Sequence, residues 1–182
     1  MSYGILLLRL TLGLTMAGHG SRDLLGSFGG SGLRATGEAF GRLGFRAPLL
    51  AALAAGLAEL AGGALLATGF LVPLAALAIG VVMLNAIVAV HWRYGFWNLE
   101  QGYEYPLLLG ATAAALAALG GGSFSVDRLL GWDDNISGLW WGIGVLALTV
   151  LLSAFTLTLR RRRSTSGERA AAAHTRTARP AA

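Results

Sequence analysis

Residues 48–92 read PLLAALAAGLAELAGGALLATGFLVPLAALAIGVVMLNAIVAVHW, and this stretch decides the fold. It contains two apolar runs, residues 48–70 and residues 73–92. Each run is close to the roughly 20 residues that an α-helix needs to cross a bilayer. Pro73 follows a short break between the runs and suits the first turn of a helix, where its missing N–H costs nothing. The sequence therefore predicts an antiparallel pair of transmembrane helices joined by a tight turn.

Three further apolar runs extend this pattern, at residues 3–20, 103–119 and 138–159. The whole chain is 55% hydrophobic and only 13% charged, whereas a soluble domain carries about 25% charged residues. The sequence thus predicts an all-α, polytopic transmembrane helix bundle embedded in a lipid bilayer, with five spans.

The remaining segments are polar or amphipathic. Leu33, Phe40 and Leu43 recur at helical spacing, which indicates a short helix near residues 33–45, either in the membrane interface or on an ordinary surface. We assign residues 1–130 to the main bundle and residues 131–160 to an extra loop and the fifth helix. Residues 161–182 are rich in Arg, Ser, Thr and Ala, and this composition is typical of a disordered tail.

The charge distribution predicts the orientation in the membrane. The formal net charge is +5, and the excess is concentrated in Arg160, Arg161, Arg162 and Arg163 and the tail behind them. Arginines directly after an apolar helix are typical of a cytoplasmic end, so we expect a cytoplasmic tail and no nucleic-acid partner. Counting back through five spans places the first loop in the cytoplasm and the N-terminus outside. Cysteine is absent, which excludes disulfides and thiolate chemistry.

Glu59 is the first candidate for chemistry, because it lies near the middle of an apolar run. An unpaired charge at that depth costs roughly 2.5–3.5 kcal/mol, so such a residue is a functional-site candidate. Small residues share its helical face, which predicts that Glu59 faces another helix rather than lipid. Arg9 in the first run is the candidate partner. Glu59 could carry a proton or bind a quinone, or the Arg9–Glu59 pair could only fix the bundle.

A second group of candidates depends on the topology. His19, His91 and Glu104 stand at the same predicted end of their helices, where imidazoles and a carboxylate could relay protons or hold a metal. Their spacing is no recognised metal motif, and backbone or headgroup hydrogen bonds are the alternative. Asn85 lies within the third run and is typical of a hydrogen bond between helices. His91 and Asn85 are also candidate cofactor contacts. The aromatic residues between the third and fourth runs are typical of an interfacial belt, with a stacked ring ligand as the alternative.

A series of short motifs follows in order along residues 5–130: Arg9-Leu10 with Gly13, Gly18-His19-Gly20, Glu59-Leu60-Ala61-Gly62-Gly63, Gly69-Phe70-Leu71, His91 with Gly95-Phe96, Gly102-Tyr103-Glu104-Tyr105-Pro106, and Gly120-Gly121-Gly122 leading to Ser125-Val126-Asp127. This series resembles the DoxX family of small integral membrane proteins. Arg22 stands near a place where the family often has lysine. The fifth span and the arginine-rich tail extend beyond the family core.

The resemblance implies a four-helix DoxX-like core, here extended by a fifth C-terminal transmembrane helix. It also implies association with terminal oxidase or thiosulfate:quinone oxidoreductase subunits, or with membrane complexes that handle oxidative or thiol stress. The first hypothesis is therefore a quinone-associated subunit of the bacterial cytoplasmic membrane, with redox proteins as partners. Glu59, Arg9 and Glu104 would bind or protonate the quinone. The second hypothesis is a scaffold that docks other proteins to the membrane. A small solute or proton transporter is a third, although no inverted repeat supports it.

Overall fold

A computed structural model of the chain describes residues 2–160 and confirms an all-α membrane bundle. Its α-helices are α1 (Ser2–Leu25), α2 (Gly32–Arg42), α3 (Pro48–Thr68), α4 (Val72–Ala86), α5 (Glu104–Leu119), α6 (Val126–Leu129) and α7 (Leu139–Thr158). A π-helical turn, Ile87–His91, and a 3-10 turn, Trp92–Tyr94, continue α4. Two further 3-10 turns lie at Ser27–Gly29 and Asn98–Glu100. The predicted tail, residues 161–182, lies outside the described residues.

The hairpin predicted from residues 48–92 is present as α3 and α4. Gly69 ends α3 with a φ of 68°, a left-handed conformation that favours glycine. Pro73 lies in the first turn of α4, as predicted. The tight turn makes the two helices antiparallel, so the middle of α3 packs beside the middle of α4.

Five long helices run in alternating directions and form the bundle. α1 packs against α3, α3 against α4, and α4 against both α5 and α7, while α2 covers α3 and α1. The apolar core lies among these helices, around Met16, Leu66, Ile79 and Leu116. The fifth long helix, α7, contributes Val145 to this core.

Glycines set the close packing of α1 on α3. A Cβ added at Gly13 would lie 2.6 Å from the carbonyl oxygen of Gly63, and one added at Gly20 would lie 2.5 Å from that of Gly56. Only glycine permits such backbone approach, which is a common way for membrane helices to associate. These contacts fix the antiparallel register, because Gly13 is opposite Gly63 and Gly20 is opposite Gly56.

Three helices are long and apolar enough to cross a membrane: Pro48–Thr68, Val72–Tyr94 and Leu139–Thr158. The apolar helix Glu104–Leu119 is shorter. At 16 residues it is about 24 Å long, against a hydrocarbon core of about 30 Å. The crossing of α1 and α5 stays a prediction, which their antiparallel packing within the same bundle favours.

The bundle has two ends, which we name after their short helices. The α2 end carries α2, the start of α3, residues 91–104 and the end of α7, whereas the α6 end carries the α3–α4 turn and α6. At the α2 end, Arg160 forms an isolated β-bridge with Phe45, and its Nε donates a hydrogen bond to the carbonyl oxygen of Leu43 at 3.0 Å. The end of α7 is thereby tied to the loop before α3. The predicted helix near residues 33–45 is present as α2.

Candidate functional site

Glu59 lies in the packed interior, as the small residues around it predicted. Its side chain is 8% exposed, and Gly56, Gly62 and Gly63 beside it are also buried. Oε2 has no hydrogen-bond partner among residues 2–160. Asp23 of α1 lies close enough to interact electrostatically with this carboxyl group. The interface between α1 and α3 therefore holds a buried, incompletely paired acid with a second acid nearby.

Arg9 does not pair with Glu59, so that expectation is wrong. The guanidinium group donates to the carbonyl oxygen of Gly121 through Nη1, and Nη2 donates to those of Ala67 at 3.2 Å and Phe124 at 2.9 Å. The glycine register of α1 on α3 explains the difference, because it sets Arg9 against Gly69 at the α6 end. Glu59 lies about ten residues earlier in α3, which corresponds to about 15 Å along the helix axis.

A second buried polar residue, Asp127, stabilises the turn between α3 and α4 at the α6 end. It was not among the candidate residues predicted from the sequence. Its Oδ1 accepts a hydrogen bond from the N–H of Leu71 at 2.8 Å, and its Oδ2 accepts one from the N–H of Val72 at 3.1 Å. A carboxylate at this position satisfies N–H groups at the start of α4 and suits the positive end of the helix dipole. Ser125 Oγ accepts a bond from the N–H of Arg128 and caps α6. The Ser-x-Asp motif in the sequence was the signal that pointed to these residues.

The residues predicted at the other end make local contacts instead of one shared site. His91 Nδ1 lies 2.6 Å from the carbonyl oxygen of Gln101. Glu104 Oε2 accepts a hydrogen bond of 2.9 Å from the N–H of Asn98. Both contacts brace the loop between α4 and α5. Residues 2–160 contain no group of three or more His, Cys, Asp or Glu side chains that could hold a metal ion.

The aromatic residues of this loop pack on one another. The rings of Trp92 and Tyr103 stack with centroids 5.4 Å apart, and Phe96 meets Tyr103 edge-on at 5.5 Å. Trp92 and Trp97 are nonetheless largely exposed. This arrangement suits an aromatic belt at the level of the lipid headgroups.

Asn85 forms a bond between helices, which is the commoner role expected for an amide in a span. Its Nδ2 donates to Thr156 Oγ1 of α7 at 2.9 Å. One turn away, Ser153 Oγ donates to the carbonyl oxygen of Val81 at 3.4 Å. A short polar seam thus attaches α7 to α4, and Asn85 is part of it.

An apolar groove lies on another face of α4. It has a volume of about 250 Å³, is half open to the surroundings, and is almost wholly apolar. α4, α5 and α7 line it, with residues that include Gly80, Met83, Ile87, Pro106, Gly110 and Val145. At the α2 end the groove reaches Ile87 and Pro106, close in sequence to His91 and Glu104. The π-helical turn Ile87–His91 begins there, and such turns often accompany functional sites.

The three candidates Glu59, Arg9 and Glu104 are therefore not brought into one site. Glu59 lies between α1 and α3, Arg9 is bound at the α6 end, and Glu104 starts α5 beside the aromatic loop. None of the three lines the apolar groove. The structure offers two separate places for chemistry, the carboxyl group of Glu59 and the groove.

These features define a small, all-helical integral membrane protein with one polar group buried at the α6 end of the α1–α3 pair, Arg9, and one near the middle of α3, Glu59. The DoxX family model matches residues 4–92, and this match supports membership of the DoxX family for the chain. The matched segment covers α1, α2, α3 and α4, and the motifs noted at residues 102–127 lie beyond it. No curated protein and no solved structure gives a significant match to the chain. The family is that of membrane proteins often associated with oxidoreductase or stress functions.

Proposed function

We propose that the protein is a membrane subunit of a quinone-linked oxidoreductase or oxidative-stress complex. The observation that carries the proposal is the open apolar groove between α4, α5 and α7, whose lining residues Ile87 and Pro106 lie within four residues of His91 and Glu104 in the sequence. Membership of the DoxX family supports the broader part of this proposal, a membrane protein with an oxidoreductase association.

The groove suits the isoprenoid tail of a quinone. Binding sites for small molecules are mostly apolar concavities with a few polar groups that fix orientation. The lining is apolar along three helices. If its open side faces the bilayer, a molecule dissolved in the membrane would enter from that side. A tail in the groove would direct a head group toward the π-helical turn and the start of α5.

His91 and Glu104 are the side chains that we propose meet the head group. A carbonyl oxygen accepts but never donates, so His91 Nδ1 must carry the proton in its contact with Gln101. In the neutral ring Nε2 is then an acceptor for a hydroxyl donor. Glu104 Oε2 is held by the N–H of Asn98, which fixes the carboxyl group near the same loop. A bound quinone would supply two-electron, two-proton redox chemistry there.

The other three candidates, Arg9, Glu59 and Asn85, then have different roles. Arg9 already donates to three carbonyl oxygens, so we assign it to holding the α6 end. Glu59 is separated from the groove, whose lining contains no residue of α3. Asn85 is engaged with Thr156, and we assign it to the α4–α7 seam.

A titration with a short-chain quinone tests the proposal. Quinones quench indole fluorescence, and Trp92 and Trp97 lie in the loop at the proposed site. Gly110→Leu would fill the groove, because a Cβ there reaches only Met83 at 3.4 Å and a longer side chain extends into the lining. Gly144→Leu is the matched control, since a Cβ at Gly144 of α7 meets nothing within 4 Å.

We expect saturable quenching in the wild type and in Gly144→Leu, and at least a tenfold weaker affinity in Gly110→Leu. Equal affinity in all three proteins would remove the groove from the site. Quenching that never saturates would indicate partition into the detergent and would contradict the proposal.

We further propose that the α2 end faces the cytoplasm of a bacterial cell. Arg22, Arg34, Arg42 and Arg46 are exposed at this end, and Arg160 lies with them. An excess of arginine near the ends of spans is typical of cytoplasmic loops. A redox partner protein would then approach this end, where Ile87 and Pro106 line the groove. Labelling of single introduced cysteines from either side of the membrane tests the orientation.

A scaffold without redox chemistry is the second candidate. The observation that favours it is that the hydrogen bonds of Arg9 and Asp127 link helices and turns of the bundle to one another. Under this hypothesis partner proteins stay bound to variants that cannot take up quinone. Pull-down of partners with wild type and Gly110→Leu separates the two functions.

A further inference from the structure

Glu59 lies near the middle of its helix and is enclosed. It comes eleven residues after Pro48 and nine before Thr68, so it is near the centre of a predicted transmembrane helix. The side chain is more than nine-tenths buried, and Oε2 meets no donor among residues 2–160. A buried carboxylate without donors loses its hydration and gains nothing in return, which favours the neutral acid.

Asp23 is the charged neighbour of this carboxyl group. It belongs to the last turns of α1, and it interacts with Glu59 across the α1–α3 interface. His19 stands one helical turn before Asp23, and both His19 and Arg22 interact with Asp23. Burial raises the pKa of Asp23, and the positive charge of Arg22 opposes that shift. An ionised Asp23 would in turn repel a charge on Glu59.

Few other ionisable groups belong to the helices around Glu59. α4 carries no ionisable residue, since Val72–Ala86 is apolar apart from Asn85. The charged residues of α2, which are Arg34, Glu38 and Arg42, are exposed on its outer surface. α2 meets α1 through Thr36, whose Oγ1 lies 3.2 Å from the carbonyl oxygen of Asp23.

We propose that Glu59 is a proton-binding site, in which the carboxyl group holds one proton and Asp23 is the ionised neighbour that keeps it there. The neutral acid avoids a charge near the bilayer centre and avoids repulsion between two carboxylates. When the proton leaves, it passes from Glu59 to a water molecule. No electron transfer is involved. Glu59 does not line the groove, so the proton-binding site does not depend on quinone binding.

Infrared spectroscopy of the protein in micelles of an ester-free detergent tests the site, because a protonated carboxyl group then has a C=O stretching band that no lipid ester overlaps. We expect the wild type at pH 7 to show such a band, shifted in D₂O, and Glu59→Gln to lose it. Glu38→Gln is the matched control, since Glu38 is an exposed acid on α2. It should retain the band in full. Circular dichroism of each variant confirms that the bundle is folded.

Asp23→Asn provides the second variant, which leaves Glu59 in place. Without the neighbouring negative charge, ionised Glu59 is less unfavourable, so the band should disappear at a lower pH than in the wild type. The proposal is overturned if the spectra of wild type and Glu59→Gln agree at pH 7. It is equally overturned if Asp23→Asn leaves the titration of the band unchanged.

Discussion

Substitution of Gly13 by alanine should separate α1 from α3. The added Cβ would lie 2.6 Å from both the carbonyl oxygen of Gly63 and the nitrogen of Ala67. Ordinary van der Waals contact begins at 3.4 Å, so the helices must move apart by the difference, 3.4 Å minus 2.6 Å, or about 0.8 Å. Both obstacles are backbone atoms, and no change of rotamer relieves the clash.

The energetic cost follows from the size of this clash. Overpacking a close interface costs about 1–3 kcal/mol, while the change from glycine to alanine in a helix returns up to about 1 kcal/mol. We therefore expect Gly13→Ala to lower the free energy of unfolding by about 1–2 kcal/mol. Gly18→Ala on the same helix is the control, because a Cβ at Gly18 meets nothing within 4 Å. It should leave stability unchanged or raise it slightly.

Reversible unfolding by SDS in mixed micelles, followed by circular dichroism, measures both variants. Gly63→Ala belongs to the same contact, since its Cβ would meet the carbonyl oxygen of Gly13. The double variant Gly13→Ala/Gly63→Ala should therefore cost less than the sum of the two single changes. Equal stability of Gly13→Ala and Gly18→Ala would refute the close glycine packing of α1 on α3.

Two further predictions concern the polar contacts that hold the ends and seams. Asp127→Ala removes the acceptor of two N–H groups at the start of α4 and should cost about 1–3 kcal/mol in unfolding free energy. Asp134→Ala, which breaks only an exposed salt bridge, should be near neutral, and similar losses in both would contradict the capping role. Asn85→Ala and Thr156→Val should each cost about 0.6 kcal/mol, the average for a hydrogen bond between membrane helices. Their double-mutant cycle should show coupling, and strict additivity would mean that the bond contributes nothing.

Much of the fold could be predicted because a helix that crosses a lipid bilayer must be apolar and about 20 residues long. The apolar runs of residues 48–70 and 73–92 had the length of spans, and the short break between them left room only for a tight turn. Small residues on the Glu59 face predicted close packing with another helix, which the structure confirms. An amide side chain within a membrane span needs a hydrogen-bond partner, and this requirement predicted the bond of Asn85 to another helix.

The candidate site was harder to predict. Hydrophobic periodicity shows on which face of a helix a residue lies, but not which residues of the neighbouring helix lie at the same level along the axis. Arg9 and Glu59 both face the α1–α3 interface, yet the register set by Gly13 and Gly63 separates them along it. The partners of Arg9 are carbonyl oxygens, which every residue possesses and no sequence pattern marks. Asp127 lies more than fifty residues after the helix start that it caps. Contacts at such distances along the chain require the three-dimensional arrangement.

We propose that the groove between α4, α5 and α7 holds a quinone, and the quinone content of the purified protein tests this most directly. Wild type, Gly110→Leu and Gly144→Leu would be extracted from membranes in a mild detergent, and the lipids bound to each would be identified by mass spectrometry. We predict quinone bound to wild type and to Gly144→Leu, and its loss from Gly110→Leu with the bundle still folded. Absence of quinone from all three proteins, or equal amounts in all three, would contradict the claim and favour the scaffold.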